Sequence, residues 1–124
     1  MVGPQKKPTK AEQDRIDRLR PLGCSACAEL GIPNVNRLEL HHIVQGNKRL
    51  GHWYSIFLCV QHHRSIFWEE LWGVIPFHLQ VGIADGKKAF YEAYGGEKYL
   101  WEKAQARLHL PGDWPGSKVM ARRV

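Results

Sequence analysis

The sequence of 124 residues has little of several features, and each shortage excludes a class of protein. It contains only three cysteines, which cannot all pair within one chain, so a disulfide framework is not expected. No apolar run reaches about 18 residues, so no segment is expected to span a membrane. The segment GPQKKP at 3–8 lacks the apolar stretch of a secretory signal. We therefore expect a protein of the reducing cytoplasm.

Acidic residues are also in the minority, at 12 against 18 basic residues, which gives a formal net charge of +6 and a pI near 9.4. This balance suits a polyanionic partner such as nucleic acid, although charge alone is weak support. The hydrophobic fraction of 44% predicts a folded globule rather than a disordered chain. A chain of this length forms one small domain, which a structural metal could help to stabilise.

Composition and capping residues predict an α+β domain with a short tail at each end. Residues 1–21 are expected to form a basic tail and an N-terminal helix, residues 22–110 a core with C-terminal helices, and residues 111–124 a loop and a basic tail. Thr9 and Glu12 have the spacing of a capping box, which predicts that a helix begins there. Pro21 is expected to end that helix.

The other elements are predicted from alternation and helical periodicity. Asp85 is expected to cap a helix that begins at Gly86 and presents Phe90, Tyr91 and Tyr94. The remaining predicted elements are strands over 37–44 and 53–60 and helices over 62–72 and 97–108.

The three cysteines and one histidine have the spacing of a metal site. Two residues separate Cys24 from Cys27, and the same gap separates Cys59 from His62 further along the chain. Thiolate and imidazole are the ligands of tetrahedral structural Zn²⁺, and a β-hairpin fits between the two pairs. His63 is the alternative fourth ligand. A redox pair at Cys24 and Cys27 is less favoured, because no βαβ pattern surrounds it.

His41, His42 and His63 then remain for a second site at which chemistry could occur. Histidine titrates near neutral pH and can serve as a general base, and a divalent ion can stabilise charge on a phosphate. Neighbouring residues of a strand point to opposite faces, so one of His41 and His42 could face an ion while the other faces a substrate, provided that the backbone bends locally. His52 is a further candidate metal ligand, with a hydrogen-bonded hairpin histidine as the alternative.

Together these motifs resemble the HNH (ββα-metal) endonuclease superfamily with a treble-clef zinc site. Within it the chain most resembles the phage recombination enhancement (Ref-type) nucleases, which act with a RecA-like recombinase filament. The resemblance covers roughly residues 22–103. The segments that carry it are CSAC at 24–27 followed by GIP at 31–33, HHI at 41–43, RLGH at 49–52, LCVQHHR at 58–64 and KAFYEAYG at 88–95.

The resemblance implies a zinc-stabilised ββα-metal core and assigns roles to the histidines. His42 would be the general base, and His41 and His63 would hold a catalytic ion, which would be Mg²⁺ or another divalent cation. His41 stands where many relatives have an acidic ligand, and imidazole is softer than carboxylate, so zinc could also occupy the site. The middle asparagine of the HNH signature is missing, so a backbone carbonyl, Tyr54 or His52 would have to orient His42.

The resemblance also implies DNA as the substrate, a RecA-type filament as a partner, and a phage or prophage source within a bacterial cell. Lys48, Arg49 and Arg64 are expected to contact DNA phosphates, which position a duplex without reading its sequence. Lys87 and Lys88 could do the same, but a solvated basic face explains them equally well.

Two other functions remain open at this point. The first is a catalytically inactive zinc-binding module for DNA binding or assembly, which the missing asparagine and acidic ligand would explain. The second is a zinc-dependent hydrolase of small substrates, whose activity would be indifferent to salt, whereas DNA binding weakens steeply as salt rises. His78 lies outside the motifs and is expected to be structural or exposed. His109 lies at a helix end, where it is expected to complement the helix dipole.

Overall fold

The computed structural model describes residues 6–46, 48–65 and 81–114. Two pairs of short strands lie among helices, which confirms the predicted α+β class. The elements, in chain order, are α1 (Lys10–Leu19), a 3-10 turn (Arg20–Leu22), α2 (Ser25–Glu29), β1 (Leu38–His42), β2 (Val44–Gln45), β3 (Lys48–Arg49), β4 (Ser55–Cys59), α3 (Val60–Arg64), a second 3-10 turn (Ile83–Asp85), α4 (Lys87–Tyr94) and α5 (Glu97–Arg107).

The strands β1 and β4 form an antiparallel pair that places the motif residues. Leu38 lies opposite Cys59 and His42 lies opposite Ser55, so the pair extends from the Cys59 end to the tandem histidines. All of β4 is buried, whereas β1 is half-buried. The smaller β2–β3 pair continues from β1, and the buried Ile43 joins the two pairs through hydrogen bonds at both its N–H and its carbonyl oxygen.

The core forms where α1, α2 and α5 pack against β4. Trp101 is fully buried, and its indole N–H donates a 3.0 Å hydrogen bond to the Trp53 carbonyl oxygen, so the ring has a polar partner inside the core. Burial of such apolar side chains is the main favourable contribution to folding. The buried apolar residues of this core include Ile16, Leu19, Ala26, Ile56, Phe57, Leu58, Phe90, Tyr94, Leu100, Trp101, Ala104 and Leu108.

The first helix begins as its sequence predicts. The Thr9 Oγ1 accepts a 3.1 Å hydrogen bond from the Glu12 amide, and the Glu12 carboxylate accepts one of 2.8 Å from the Thr9 amide. This reciprocal capping box satisfies two amides that the first helical turn cannot pair. Ile16 and Leu19 are buried as expected, but Arg15 is buried with them, which the sequence did not indicate.

The predicted cap of the fourth helix is wrong. Gly86 is the N-cap of α4 and has φ +121, a conformation that suits glycine. The Asp85 carboxylate instead accepts hydrogen bonds from the Gly82 amide (3.0 Å) and the Ser65 hydroxyl (2.8 Å). Asp85 therefore ties the second 3-10 turn to the end of α3.

One other expectation about the helices needs correction. The helix predicted over 62–72 begins earlier, at Val60, and α3 ends at Arg64 because Ser65 adopts a left-handed conformation at φ 57. Of the three aromatic residues that the fourth helix was expected to present, Phe90 and Tyr94 are buried and Tyr91 is 66% exposed.

Several expectations fall outside the described residues, namely residues 66–72 of the predicted helix, His78, residues 1–5 of the first tail and residues 115–124 of the second. The division at residues 21 and 110 stays a prediction. Among the described residues, no helix combines the length and apolar character needed to cross a bilayer.

Candidate metal centres and active site

Three cysteines and one histidine, predicted as a zinc site, lie together in the fold. Cys24 precedes α2, Cys27 lies within it, Cys59 is the last residue of β4, and His62 follows one turn into α3. The ligand atoms of all four residues lie within 4.8 Å of one another, and all four side chains are buried. We call this group the Cys3His cluster.

The spacing of the Cys3His cluster fits a tetrahedral metal ion. The His62 Nδ1 lies 3.5 Å from the Sγ atoms of Cys24 and Cys27 and 3.3 Å from that of Cys59. The Sγ atoms of Cys27 and Cys59 are 4.0 Å apart. Zinc–sulfur bonds of about 2.3 Å and zinc–nitrogen bonds of about 2.0 Å at tetrahedral angles give separations of about 3.8 Å and 3.5 Å. The donor set therefore fits Zn²⁺ in both chemistry and distance.

Burial and mutual hydrogen bonds shift the pKa values of the three thiols in different directions. Burial raises the pKa of Cys24 to about 12, and hydrogen bonds with the neighbouring thiols raise that of Cys27. Hydrogen bonds from Cys24 and Cys27 lower the pKa of Cys59. A bound dication would favour the thiolate at all three positions, which is how thiol ligands bind metal. Asn34, which sequence reasoning did not single out, donates from Nδ2 to the Cys27 sulfur at 3.6 Å.

A second group of ligand-type side chains lies on the half-buried face of β1. The Nδ1 of His41 and the Nε2 of His63 are 3.3 Å apart, and the two rings meet edge to face with centroids 5.1 Å apart. The strand β1 and the helix α3 therefore bring together the two histidines predicted to share a catalytic ion. Two imidazole nitrogens on one tetrahedral ion would be about 3.3 Å apart.

Each of these histidines also contacts a carboxylate. The contact is made by its outer nitrogen, which is the ring nitrogen that faces away from the other histidine. The His41 Nε2 lies 2.5 Å from Oε2 of Glu97, and the His63 Nδ1 lies 2.8 Å from Oε1 of Glu39. Each carboxylate is also paired with a basic side chain. Lys87 lies 3.3 Å from Glu97, and Arg64 donates hydrogen bonds to both oxygens of Glu39. These four side chains, together with His41 and His63, are called the histidine–carboxylate cluster below.

Charges within the histidine–carboxylate cluster keep both glutamates ionised. The hydrogen bond from Arg64 lowers the pKa of Glu39, and the bond from His63 lowers it further. Burial opposes ionisation of Glu97, but its hydrogen bonds with His41 and Lys87 and their charges leave its pKa below the usual value. Both side chains can therefore accept hydrogen bonds from histidine across the neutral pH range.

His42 lies on the opposite face of β1 and has a different partner. Its Nε2 is 3.0 Å from Nδ1 of His52, whose Nε2 is 2.5 Å from the Lys6 carbonyl oxygen. A carbonyl oxygen only accepts, so His52 carries its proton on Nε2 and, when neutral, accepts from His42 at Nδ1. The Nδ1 of a neutral His42 is then left unprotonated. Among the described contacts, His52 lies against His42 and not against the pair of His41 and His63.

The environment of His42 favours its neutral form. Burial is the largest cause of its lowered pKa, and the charges of His52, Arg49 and His41 lower it further. A neutral imidazole can accept a proton, which is what a general base requires.

The predicted DNA contacts differ in their surroundings. Lys48 and Arg49 form the exposed strand β3 beside the His42 end of β1. The Arg64 side chain is 56% exposed, but it makes a bidentate ion pair with Glu39. Arg64 therefore orients Glu39 as well as offering charge at the surface. Lys87 is likewise exposed and pairs with Glu97.

Sequence reasoning did not identify the two carboxylates. Glu39 could have been found, because it lies two residues before His41 and therefore on the same face of the strand. Glu97 gives no local signal, since it lies 56 positions from its partner His41 and in another helix.

The fold and these residues define a small α+β protein with a buried Cys3His cluster suited to a metal ion and a second cluster of histidines and carboxylates. Residues 8–109 match the protein family described as recombination enhancement, RecA-dependent nuclease. Since the match covers most of the chain, the protein belongs to this family, which confirms the Ref-type resemblance. No curated protein gives a significant match to the chain.

Proposed function

We propose that this protein is a divalent-metal-dependent endonuclease of the HNH type that hydrolyses DNA phosphodiester bonds. The observation that supports this most directly is the 3.3 Å approach of the His41 Nδ1 to the His63 Nε2. The family to which the chain belongs supports nuclease activity in RecA-dependent recombination. The proposed partners are therefore DNA and a RecA-type filament, and the proposed setting is a phage or prophage in a bacterial cell.

The Cys3His cluster would hold a structural Zn²⁺. Its residues come from the start of α2, the end of β4 and α3, so one ion would join three elements of the fold. Because His63 directly follows His62, the zinc site would also set the position of His63. The structural ion and the active site are thus coupled through one short helix.

His41 and His63 would hold the catalytic ion, as Mg²⁺ or another divalent cation. When bound, such an ion stabilises the negative charge that develops on the scissile phosphate and on the leaving oxygen. The two imidazoles come from β1 and α3, and their outer nitrogens are held by Glu97 and Glu39. The side chains therefore need little rearrangement to present their inner nitrogens.

His42 would act as the general base through its Nδ1. The contact with His52, and from there with the Lys6 carbonyl oxygen, holds the His42 ring through Nε2 and directs its proton away from Nδ1. This contact would fill the orienting role left open by the missing asparagine. The lowered pKa of His42 keeps the base unprotonated near neutral pH.

Lys48, Arg49 and Arg64 would position the DNA backbone. Phosphate contacts of this kind make affinity fall with salt, by about one unit of slope in log K against log salt for each contact. Replacing Arg49 with Ala should reduce the slope by about one unit. The matched control is Lys98→Ala, which removes an exposed lysine already paired with Glu102.

Cleavage of supercoiled plasmid and of displacement-loop DNA tests the activity, with Mg²⁺ or Mn²⁺ and with or without recombinase filament. The parent protein should nick DNA, and His42→Ala and His63→Ala should each reduce cleavage about 100-fold or more while DNA binding and zinc content persist. His109→Asn is the control, because His109 is exposed and its positive φ suits asparagine. Retained cleavage in His42→Ala would contradict the role of the base.

One observation favours an alternative, a catalytically inactive zinc-binding module for DNA binding or assembly. His41 and His42 lie on opposite faces of β1 and contact separate partners, so the proposed base lies across the strand from the proposed ion site. A parent protein that binds DNA but fails to cleave it with any divalent ion, even with filament present, would support this alternative. Cleavage of small phosphodiesters that is unaffected by salt would instead support a hydrolase of small substrates.

A further inference from the structure

The histidine–carboxylate cluster forms an unbroken series of polar contacts. From one end to the other it runs Glu97, His41, His63 and Glu39, with separations of 2.5, 3.3 and 2.8 Å. Glu97 reaches the series from the first turn of α5 and Glu39 from β1. The side chains of these two glutamates are only 11% and 27% exposed. These contacts are therefore made largely away from bulk water. Hydrogen bonds in such surroundings are electrostatically stronger than in water.

The carboxylates determine which nitrogen of each histidine carries the proton. An ionised carboxylate can only accept, so the His41 proton lies on Nε2 towards Glu97, and the His63 proton lies on Nδ1 towards Glu39. In the neutral rings, the unprotonated nitrogens are then Nδ1 of His41 and Nε2 of His63. These two atoms face each other at 3.3 Å, and neither has a proton to share with the other. Two facing lone pairs repel unless a cation lies between them.

We propose that Glu39 and Glu97 are positioning residues that hold His63 and His41 in complementary tautomers, so that the ring nitrogens facing each other are the two offered to a divalent ion. This inference rests on the proposed function, because it concerns the ion assigned there to His41 and His63. It adds two residues that neither the HNH motif nor the family match assigns. Carboxylates that accept from the outer nitrogen of a ligand histidine fix its orientation and strengthen its metal binding.

The counter-ions explain why these carboxylates stay in place. Lys87 bridges the Val44 carbonyl oxygen (2.8 Å) and Glu97 (3.3 Å), so it ties α4 and β2 to the start of α5. Arg64 holds both oxygens of Glu39, which leaves Oε1 aimed at His63 as well. The C-terminal helices thus take part in the site and do more than cover the core.

Histidine tautomers can be read directly by long-range ¹H–¹⁵N correlation spectra of the zinc-containing protein without a second ion, at a pH where the rings are neutral. The parent should show His63 with its proton on Nδ1, the form that a free imidazole side chain does not favour, and His41 with its proton on Nε2. Glu39→Leu should shift His63 towards the Nε2-protonated form. Spectra of the parent with His63 protonated on Nε2 would overturn the inference without requiring any variant.

Titration with Mn²⁺ supplies a second readout. Glu39→Leu and Glu97→Leu should each weaken Mn²⁺ binding about 10- to 100-fold, which is the usual effect of losing a carboxylate that orients a ligand histidine. Glu102→Leu is the matched control, because Glu102 lies on α5 but pairs only with Lys98 among the described ion pairs, and it should leave both readouts unchanged. Zinc content of each variant confirms that the fold is retained.

The two readouts separate the inference from the proposed function. Tautomers as stated, with weaker Mn²⁺ binding in both variants, support the inference. Unchanged Mn²⁺ affinity in both variants overturns it while leaving the ion site itself intact. A parent protein that binds no second ion, with Mn²⁺ or with Mg²⁺, would contradict the proposed ion site and therefore the inference, even if the tautomers are as described.

Discussion

The Nε of Arg15 donates a 2.6 Å hydrogen bond to Oε1 of Gln105 and so joins α1 to α5 across the core. The Arg15 side chain also donates from Nη1 to the Ser55 hydroxyl at 3.3 Å, and its guanidinium lies 5.7 Å from the centre of the Trp53 ring. Arg15 is 1% exposed. Burial lowers its pKa to about 10, so it remains charged at neutral pH.

Replacing Arg15 with Ala should lower the free energy of unfolding by about 2–3 kcal/mol, because it removes hydrogen bonds to a charged donor and leaves Gln105 without its partner. Loss of packing volume adds to this effect. Denaturant unfolding of the zinc-saturated protein measures it. Lys98→Ala, which removes an exposed basic residue, should change stability by less than about 0.5 kcal/mol. Equal effects of the two substitutions would show that the Arg15 contacts contribute little.

The residues that could be predicted from sequence are those whose partners are close in the chain or fixed by a motif. The Thr9–Glu12 capping box needs only one helical turn, and the paired spacing of cysteines and histidine indicates a shared ion before any fold is known. The strand around His41 and His42 follows from alternation. In each case, short-range geometry leaves few alternatives.

The residues that escaped prediction depend on contacts between distant segments. Arg15 reads as a surface residue in its helix, and only the position of Gln105 makes its burial possible. Glu97 is one of several acidic residues in the C-terminal half, and only the packing of α5 brings it to His41. A sequence pattern constrains neighbours within an element but does not give the approach of two elements.

The Cys3His cluster should hold about one tightly bound zinc per chain, as measured by elemental analysis after extensive dialysis. Cys24→Ser should lose this zinc and unfold the domain, because the ion fixes α2, β4 and α3 together. His109→Asn should keep the zinc, since His109 lies outside the cluster. A folded sample that contains no zinc would contradict the assignment of this site.

The lowered pKa of His42 should be visible as a histidine titration below the ordinary value of 6.5 in NMR spectra. Arg49→Gln should raise the pKa of His42, since it removes one of the charges that disfavour the imidazolium. Lys48→Gln is the matched control, because Lys48 is adjacent but is not among the causes of the shift. An unchanged His42 titration in Arg49→Gln would show that the guanidinium charge is screened at this site.

The same shift predicts how stability depends on pH. As the pH falls through 6.5, His42 of the unfolded chain binds a proton before the folded chain does. The contribution of His42 to stability is therefore complete above 6.5 and is lost as the pH falls towards its lower folded value. A His42→Ala variant should lack this part of the pH dependence in denaturant titrations repeated across the range.

Gly23 places the first cysteine pair, and its replacement should affect metal binding more than an ordinary glycine substitution. Its φ is +84, and a Cβ at this position would lie 2.3 Å from the Asn34 carbonyl oxygen, which accepts the Cys24 amide at 2.8 Å. Gly31 also has a positive φ, of +75, but a Cβ there would meet no atom within 4 Å. It is therefore the matched control.

Gly31→Ala should cost only the strain of a left-handed alanine, about 1–2 kcal/mol, and should leave zinc affinity unchanged. Gly23→Ala should cost more and should weaken zinc binding in competition with a chelator, because the backbone must move at the residue directly before Cys24. If the two variants have the same zinc affinity, the close packing of Gly23 against Asn34 does not set the geometry of the Cys3His cluster.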